Sequence, residues 1–192
     1  MENKIPAGLS NKHIHLSKEH VEILFGDGHE LTAIKDLGQP GQYACDEKVD
    51  LVGPKRVLKG VRVLGPTRNT TQIELSLSDG IFLGLGVLPV KQSGDLSGTP
   101  GCKIVGPCGE IELAEGVIAA SRHIHMTPAD AAELGVENNE KVKVPVEGPR
   151  GVIFENVLVR VSDAAALEFH VDMEEGNACS LKNGQLLKLI KY

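Results

Sequence analysis

Tryptophan is absent from this chain, and aromatic residues together make up only 3% of its 192 residues. The core cannot be organised around large rings and has to be built from Val, Leu, Ile and Ala. Positive charge is also short, with 20 Lys and Arg against 26 Asp and Glu and a formal net charge of −6. That balance argues against nucleic-acid binding as the main task, because neutralising a phosphate backbone needs a basic surface. An anionic small ligand, which needs only a few local Lys or Arg residues, stays open. No stretch approaches 18 consecutive apolar residues, and the opening "MENKIPAGLS" has no apolar h-region. Neither a membrane span nor a secretory signal is expected. Cysteine is confined to Cys45, Cys102, Cys108 and Cys179, with no C-x-x-C spacing. In a chain without a secretory signal these are expected as free thiols, and the location as cytoplasmic.

The chain is rich in turn-formers, with 22 Gly and 10 Pro. They cut it into short apolar or alternating runs such as "KVDLVGP" (48–54), "GVRVLGP" (60–66), "TQIELSL" (71–77), "EKVKVPV" (140–146), "GVIFENVLVRVS" (151–162) and "ALEFHVD" (166–172). Runs of this kind predict many short strands. Helical signals are few. "LSKEHVEILFG" starts at Ser17 as N-cap and stops at Gly26, and "MTPADAAELGV" starts at Thr127 with Pro128 in first position and stops at Gly135. The fold class expected is mainly β, two small β-barrels with a few short capping helices.

Histidine is scarce, seven residues in all, yet four of them form two His-Ile-His triplets, "NKHIHLSKEH" (11–20) and "SRHIHMTPAD" (121–130). Each triplet is followed by a Ser or Thr cap, a short helix and a Gly, so the repeat is a strand–helix unit rather than a triplet alone. Along a strand, residues i and i+2 share a face. His13 and His15 project together, as do His123 and His125. Two adjacent imidazoles make a bidentate clamp suited to Zn, Fe, Ni or Cu; the alternative is a polar strand face in water. A catalytic zinc needs at least three protein ligands. Glu74 in "TQIEL" and His170 in "LEFHVD" sit mid-strand among apolar neighbours and are the candidates, although either alone reads equally as an ordinary exposed strand residue. His20 and His29 fall in a helix and a turn and are expected at the surface.

Taken together, "LSNKHIHLS", "LGQPGQYAC", "DLVGPK", "VRVLGPTRNTTQIELS", "SGDLSGTPG", "GVIAASRHIHMTP" and "LEFHVDMEEGNAC" resemble the PduL-type phosphotransacylases (phosphate propanoyltransferases), in register from about residue 5 to residue 180. The resemblance implies reversible conversion of acyl-CoA and phosphate to acyl-phosphate and CoA, with propanoyl or acetyl as the acyl group, at a site with two zinc ions. It implies that His13, His15 and Glu74 hold one zinc, whose open position takes the CoA sulfur, and that His123, His125 and His170 hold the other. It implies phosphate binding by Arg68 and CoA contacts from Ser10, Lys35, Arg62, Leu64 and Asn177. Without the resemblance, Lys35 and Arg62 read as surface charges and "GQPGQ" as a tight loop. It further implies a homodimer and interleaved barrels, residues 1–11 with 120–192 in one and 12–119 in the other.

Many members of that family carry an N-terminal extension that directs them into a bacterial microcompartment. Only a few residues precede the first motif here, which keeps the cytoplasm as the expected location and microcompartment association as the lesser alternative. Cys179 stands directly after "GNA", where a small residue is expected, and reads as filler. Two competing readings of the ligand set remain: a dinuclear metal hydrolase of thioesters or phosphoesters, and a non-catalytic module whose histidines staple the barrels through metal.

Overall fold

The computed structural model describes residues 4–192. In chain order its elements are β1 (Ile5–Ser10), β2 (His13–His15), α1 (Lys18–Phe25), β3 (Ala33–Asp36), β4 (Tyr43–Val52), β5 (Val57–Gly65), β6 (Gln72–Glu74), α2 (Leu77–Leu83), β7 (Val90–Lys91), β8 (Lys103–Val105), β9 (Glu110–Glu112), β10 (Val117–Ala120), β11 (His123–Met126), α3 (Pro128–Leu134), β12 (Lys141–Val146), β13 (Val152–Val161), β14 (Glu168–Asp172), α4 (Met173–Cys179) and β15 (Leu186–Leu187). The chain is mostly β, 41% strand and 15% helix, with one sheet nearly closed into a barrel and the other curled into a half-barrel. No helix among the described residues is long and apolar enough to cross a membrane.

The chain divides into two compact units. The terminal unit takes the stretch up to Asn11, the short piece Gly38–Pro40, and Ser121–Tyr192; the middle unit takes Lys12–Leu37 and Gly41–Ala120. The terminal unit's sheet runs β12-β13-β11-β14-β1-β15. The middle unit's sheet runs β7-β10-β6-β2-β5-β4-β8-β9, with β3 on the side of β4. One rule generates both. Each triplet strand pairs antiparallel with a later strand of its own unit, β2 with β6 and β11 with β14. The strand just before each triplet pairs elsewhere: β1 lies parallel to β14, and β10 lies parallel to β6. The two repeats therefore exchange their leading strands, which interleaves the units along the sequence.

Each unit has its own core, built mostly from aliphatic side chains. Ile5, Ile124, Met126, Val142, Val159 and Phe169 cluster in one, and Ile14, Leu16, Leu24, Leu51, Val63 and Ile73 in the other. In the triplets the central isoleucines supply the core side: Ile14 and Ile124 are fully buried. All four cysteines are free thiols. Cys179 is buried in the core of the terminal unit.

The two helices read from capping signals occur as expected. The Ser17 hydroxyl accepts from His20 N–H ahead of α1, and Thr127 and Asp130 form a reciprocal capping box ahead of α3. Two more helices follow the same scheme and escape the sequence reading. The strand expected through residue 77 stops at Glu74, and Ser76 caps α2 instead. After β14, Asp172 and Glu175 cap α4 reciprocally. Glycines inside both segments disguise them as turns. The missing Cβ has a packing cause in each case: it would sit 2.5 Å from Leu88 at Gly80 and 2.6 Å from Leu9 at Gly176.

Candidate metal centres

Among the described residues the strand–cap–helix device thus occurs four times, after His13–His15, Gln72–Glu74, His123–Met126 and Glu168–Asp172. Each copy carries candidate ligands, and the antiparallel pairing brings them together two copies at a time. His13 lies opposite Glu74, and His123 lies opposite His170. Register alone assembles one trio of His13, His15 and Glu74 in the middle unit and a second of His123, His125 and His170 in the terminal unit. Within each trio the three ligand atoms lie within 4.8 Å of one another.

A polar strand face in water is not what the structure contains. His13 is 6% exposed and His15 2%. Their rings meet edge to face at 5.1 Å, and His13 Nε2 stands 3.5 Å from a Glu74 carboxylate oxygen. Burial, the neighbouring His13 and the Arg68 charge push the His15 imidazole down to about 3. It stays neutral, as a metal ligand must be. Its Nδ1 is buried with no hydrogen-bond partner, a costly arrangement for a polar atom. A metal or a ligand at that nitrogen would relieve it, so the residues fit the group.

In the second trio the three rings lie 4.6–5.1 Å apart. His123 Nδ1 is bonded to the Ser121 carbonyl at 2.8 Å, and its Nε2 faces His125 Nε2 at 3.0 Å. A carbonyl can only accept, so the His123 proton sits on Nδ1 and Nε2 carries a lone pair. Burial, with His123 and His170 alongside, pushes His125 down to about 3. His170 Nε2 is bonded to Glu168 at 2.6 Å. Burial pushes the Glu168 carboxyl up, but hydrogen bonds from His170 and Gln39 outweigh it and hold the group below its ordinary range. Three neutral imidazoles, or two with a carboxylate, are the donor sets of catalytic zinc sites.

Arg68 is fixed close to the first trio. Its backbone N–H donates to the carbonyl of Leu16, the residue after His15. Its guanidinium donates to Ser93 at 3.1 Å. Gln72 completes the connection: its amide donates to Glu74 at 2.6 Å and to Ser93 at 2.8 Å, and its oxygen accepts from Gly94 N–H at 2.7 Å. Arg68, Gln72, Gly94 and Ser97 line an open cavity of about 510 Å³. Of the other expected contacts, Arg62 lies beside His13 and bonds the Cys45 carbonyl. Leu64, Ala44 and Lys35 fall in one row across three strands of the middle unit, with Lys35 exposed. Ser10 ends β1, and Asn177 is exposed on α4, both in the terminal unit.

Four residues around these trios were not singled out by sequence reasoning: Gln39, Gln72, Ser93 and Glu168. Gln72 had a signal, since it stands two before Glu74 and therefore shares its face, as Glu168 does with His170. Ser93 in a loop had none. His20 and His29, expected at the surface, are half-buried and bonded to Thr71 and Glu47.

Comparison with known proteins finds relatives along nearly the whole chain. A family model described as phosphate propanoyltransferase matches residues 6–182. A phosphate propanoyltransferase of Thermotoga maritima is 52% identical over 189 residues, covering 98% of this chain and 90% of that protein. One from Clostridioides difficile is 52% identical over 182 residues (95% and 87%), and one from Salmonella typhimurium 51% over 180 (93% and 85%). A match of this extent, over a fold that brings both triplets into ligand-like trios, makes the chain an acyltransferase enzyme belonging to the phosphate propanoyltransferase family.

Proposed function

We propose that this chain transfers an acyl group reversibly between CoA and inorganic phosphate, with propanoyl or acetyl as the acyl group. His13, His15 and Glu74 would hold one zinc ion and His123, His125 and His170 a second. The observation that carries the reading is the continuous hydrogen-bonded path from Arg68 through Ser93 and Gln72 to Glu74. It ties an anion-binding side chain to a metal ligand inside one unit, beside a cavity.

The reaction breaks the C–S bond of the thioester and forms a C–O bond to phosphate; the thiolate leaves, and the proton that phosphate gives up ends on the CoA sulfur as it is released as the free thiol. Phosphate is its own nucleophile, so no Ser–His or Cys–His pair is required. The protein has to hold an anion against the acyl carbon. Arg68 suits this, because its forked donors match phosphate geometry and its charge is permanent. Its backbone bond to Leu16 and side-chain bond to Ser93 fix its direction in advance. Placing phosphate at attack distance is worth up to roughly 7–11 kcal/mol in ideal intramolecular cases. Zinc, when bound, supplies stabilisation of the departing thiolate or polarises the thioester oxygen. The lowered basicity of His15 and His125 keeps both imidazoles neutral at working pH, ready to donate a lone pair.

Ser10, Lys35, Arg62, Leu64 and Asn177 are assigned to CoA on the family resemblance; the exposed Lys35 has the charge its phosphates need. On the same basis we assign a homodimer. Exposed apolar side chains gather between Leu77 and Val90, with Ile81 57%, Val87 76% and Val90 63% exposed, a surface that a second copy would cover. Acetyl and propanoyl differ by one methylene, worth only about 1–3 kcal/mol in a pocket.

The reverse direction tests the reading. Zinc-loaded protein mixed with propanoyl phosphate and CoA should consume free thiol in step with acyl phosphate. Loss of acyl phosphate with the thiol untouched would instead identify a hydrolase.

A further inference from the structure

The turn "GQPGQ" (38–42) supplies none of the clustered ligands. Although it lies in the middle of the sequence, Gly38–Pro40 groups with the terminal unit. The cause is Gln39, buried at 6% exposure. Its amide nitrogen donates to the Ala166 carbonyl at 3.0 Å and to Glu168 Oε2 at 3.1 Å, and its oxygen accepts from Ala166 N–H at 3.2 Å. The carboxylate it holds is the one bonded to His170 Nε2 at 2.6 Å. Two glycines make room for that carboxylate. A Cβ on Gly38 would stand 2.4 Å from Glu168 Oε2, and a Cβ on Gly8, directly opposite His170 in the sheet, would stand 2.8 Å from both Glu168 Oε1 and the His170 ring. Four residues from three separate parts of the sequence thus converge on one carboxylate that is not itself among the three clustered ligands.

We propose that Glu168 is a positioning residue for His170: its carboxylate accepts the Nε2 proton and leaves Nδ1 as the lone-pair nitrogen, while Gln39 and the bare backbones of Gly8 and Gly38 hold that carboxylate in place. This rests on the reading that His123, His125 and His170 hold a metal. Outer carboxylates fix the tautomer and orientation of ligating histidines and raise their basicity. His123 is fixed by the Ser121 carbonyl in the same manner, through its other nitrogen.

The test is metal retention in the full chain. Zinc-loaded wild type, Glu168→Gln, Glu168→Ala, Gly38→Ala and His170→Ala are titrated with a chelator, and the cobalt(II)-loaded forms are compared by visible absorption. His170→Ala should lose one of the two metals. Glu168→Ala should release that same metal roughly 10–100-fold more readily, with a shifted cobalt band, while the metal at His13, His15 and Glu74 is retained. Gly38→Ala should behave likewise although Glu168 is intact. Glu168→Gln, nearly isosteric and still able to accept through its amide oxygen, should fall between wild type and Glu168→Ala. Wild-type affinity and an unchanged cobalt spectrum in Glu168→Ala, Glu168→Gln and Gly38→Ala, with the metal lost in His170→Ala, would overturn the positioning role alone. Full retention of both metals in His170→Ala would overturn the ligand reading and this inference with it.

Discussion

Acid should weaken this protein in a way traceable to one side chain. His15 is neutral and buried, with its basicity lowered from 6.5 to about 3 by burial, then by His13 and Arg68. In the unfolded chain the same imidazole titrates at its ordinary value. A folded-state pKa below the unfolded one gives stability that is present above the unfolded value and is lost as pH falls, here from about 6.5 toward about 3. At pH 5 the unfolded state has taken up the proton and the folded state has not. At 1.36 kcal/mol per unit, His15 alone then costs about 2 kcal/mol relative to pH 7. A domain's whole stability is about 5–15 kcal/mol, so the effect is large enough to measure.

The assay is urea unfolding of chelator-treated protein at pH 7, 6 and 5, for wild type and His15→Leu. His125, held near 3 for similar reasons, contributes to both proteins and cancels in the comparison. The stability difference between wild type and His15→Leu should shift by about 2 kcal/mol in the variant's favour from pH 7 to pH 5. Parallel curves would refute the claim that His15 is held neutral by its surroundings.

Arg68→Ala should raise the phosphate KM or lower kcat while both metals stay bound, measured by initial rates and metal analysis; loss of metal would mean that Arg68 supports the trio rather than the substrate. Gln72→Leu removes the bonds to Glu74, Ser93 and Gly94. It should lower unfolding stability by about 1–3 kcal/mol and loosen the middle unit's metal by roughly 10–100-fold, read by urea unfolding and chelator titration.

Much of the architecture is legible in the residues, because the signals concerned are local. Ser17, Thr127, Pro128 and the glycines after them mark α1 and α3, and period-two alternation puts His13 with His15 and His123 with His125. What is not legible depends on contacts far apart in sequence. Gly80 and Gly176 look like helix breakers until Leu88 and Leu9 are seen against them. The partners of the triplets follow from strand register, which places Glu74 opposite His13 and His170 opposite His123. Alternation within a single strand cannot supply that. Gln39 reaches Glu168 across 129 positions, and no spacing rule connects a turn to a strand at that range.

The activity proposed for this chain moves an acyl group from CoA sulfur to phosphate oxygen. The most direct measurement follows free CoA thiol and acyl phosphate together when zinc-loaded protein meets propanoyl-CoA, with and without inorganic phosphate. Equal amounts of thiol and acyl phosphate, formed only when phosphate is present, are the predicted result. Thiol released at the same rate without phosphate, and no acyl phosphate at all, would contradict it.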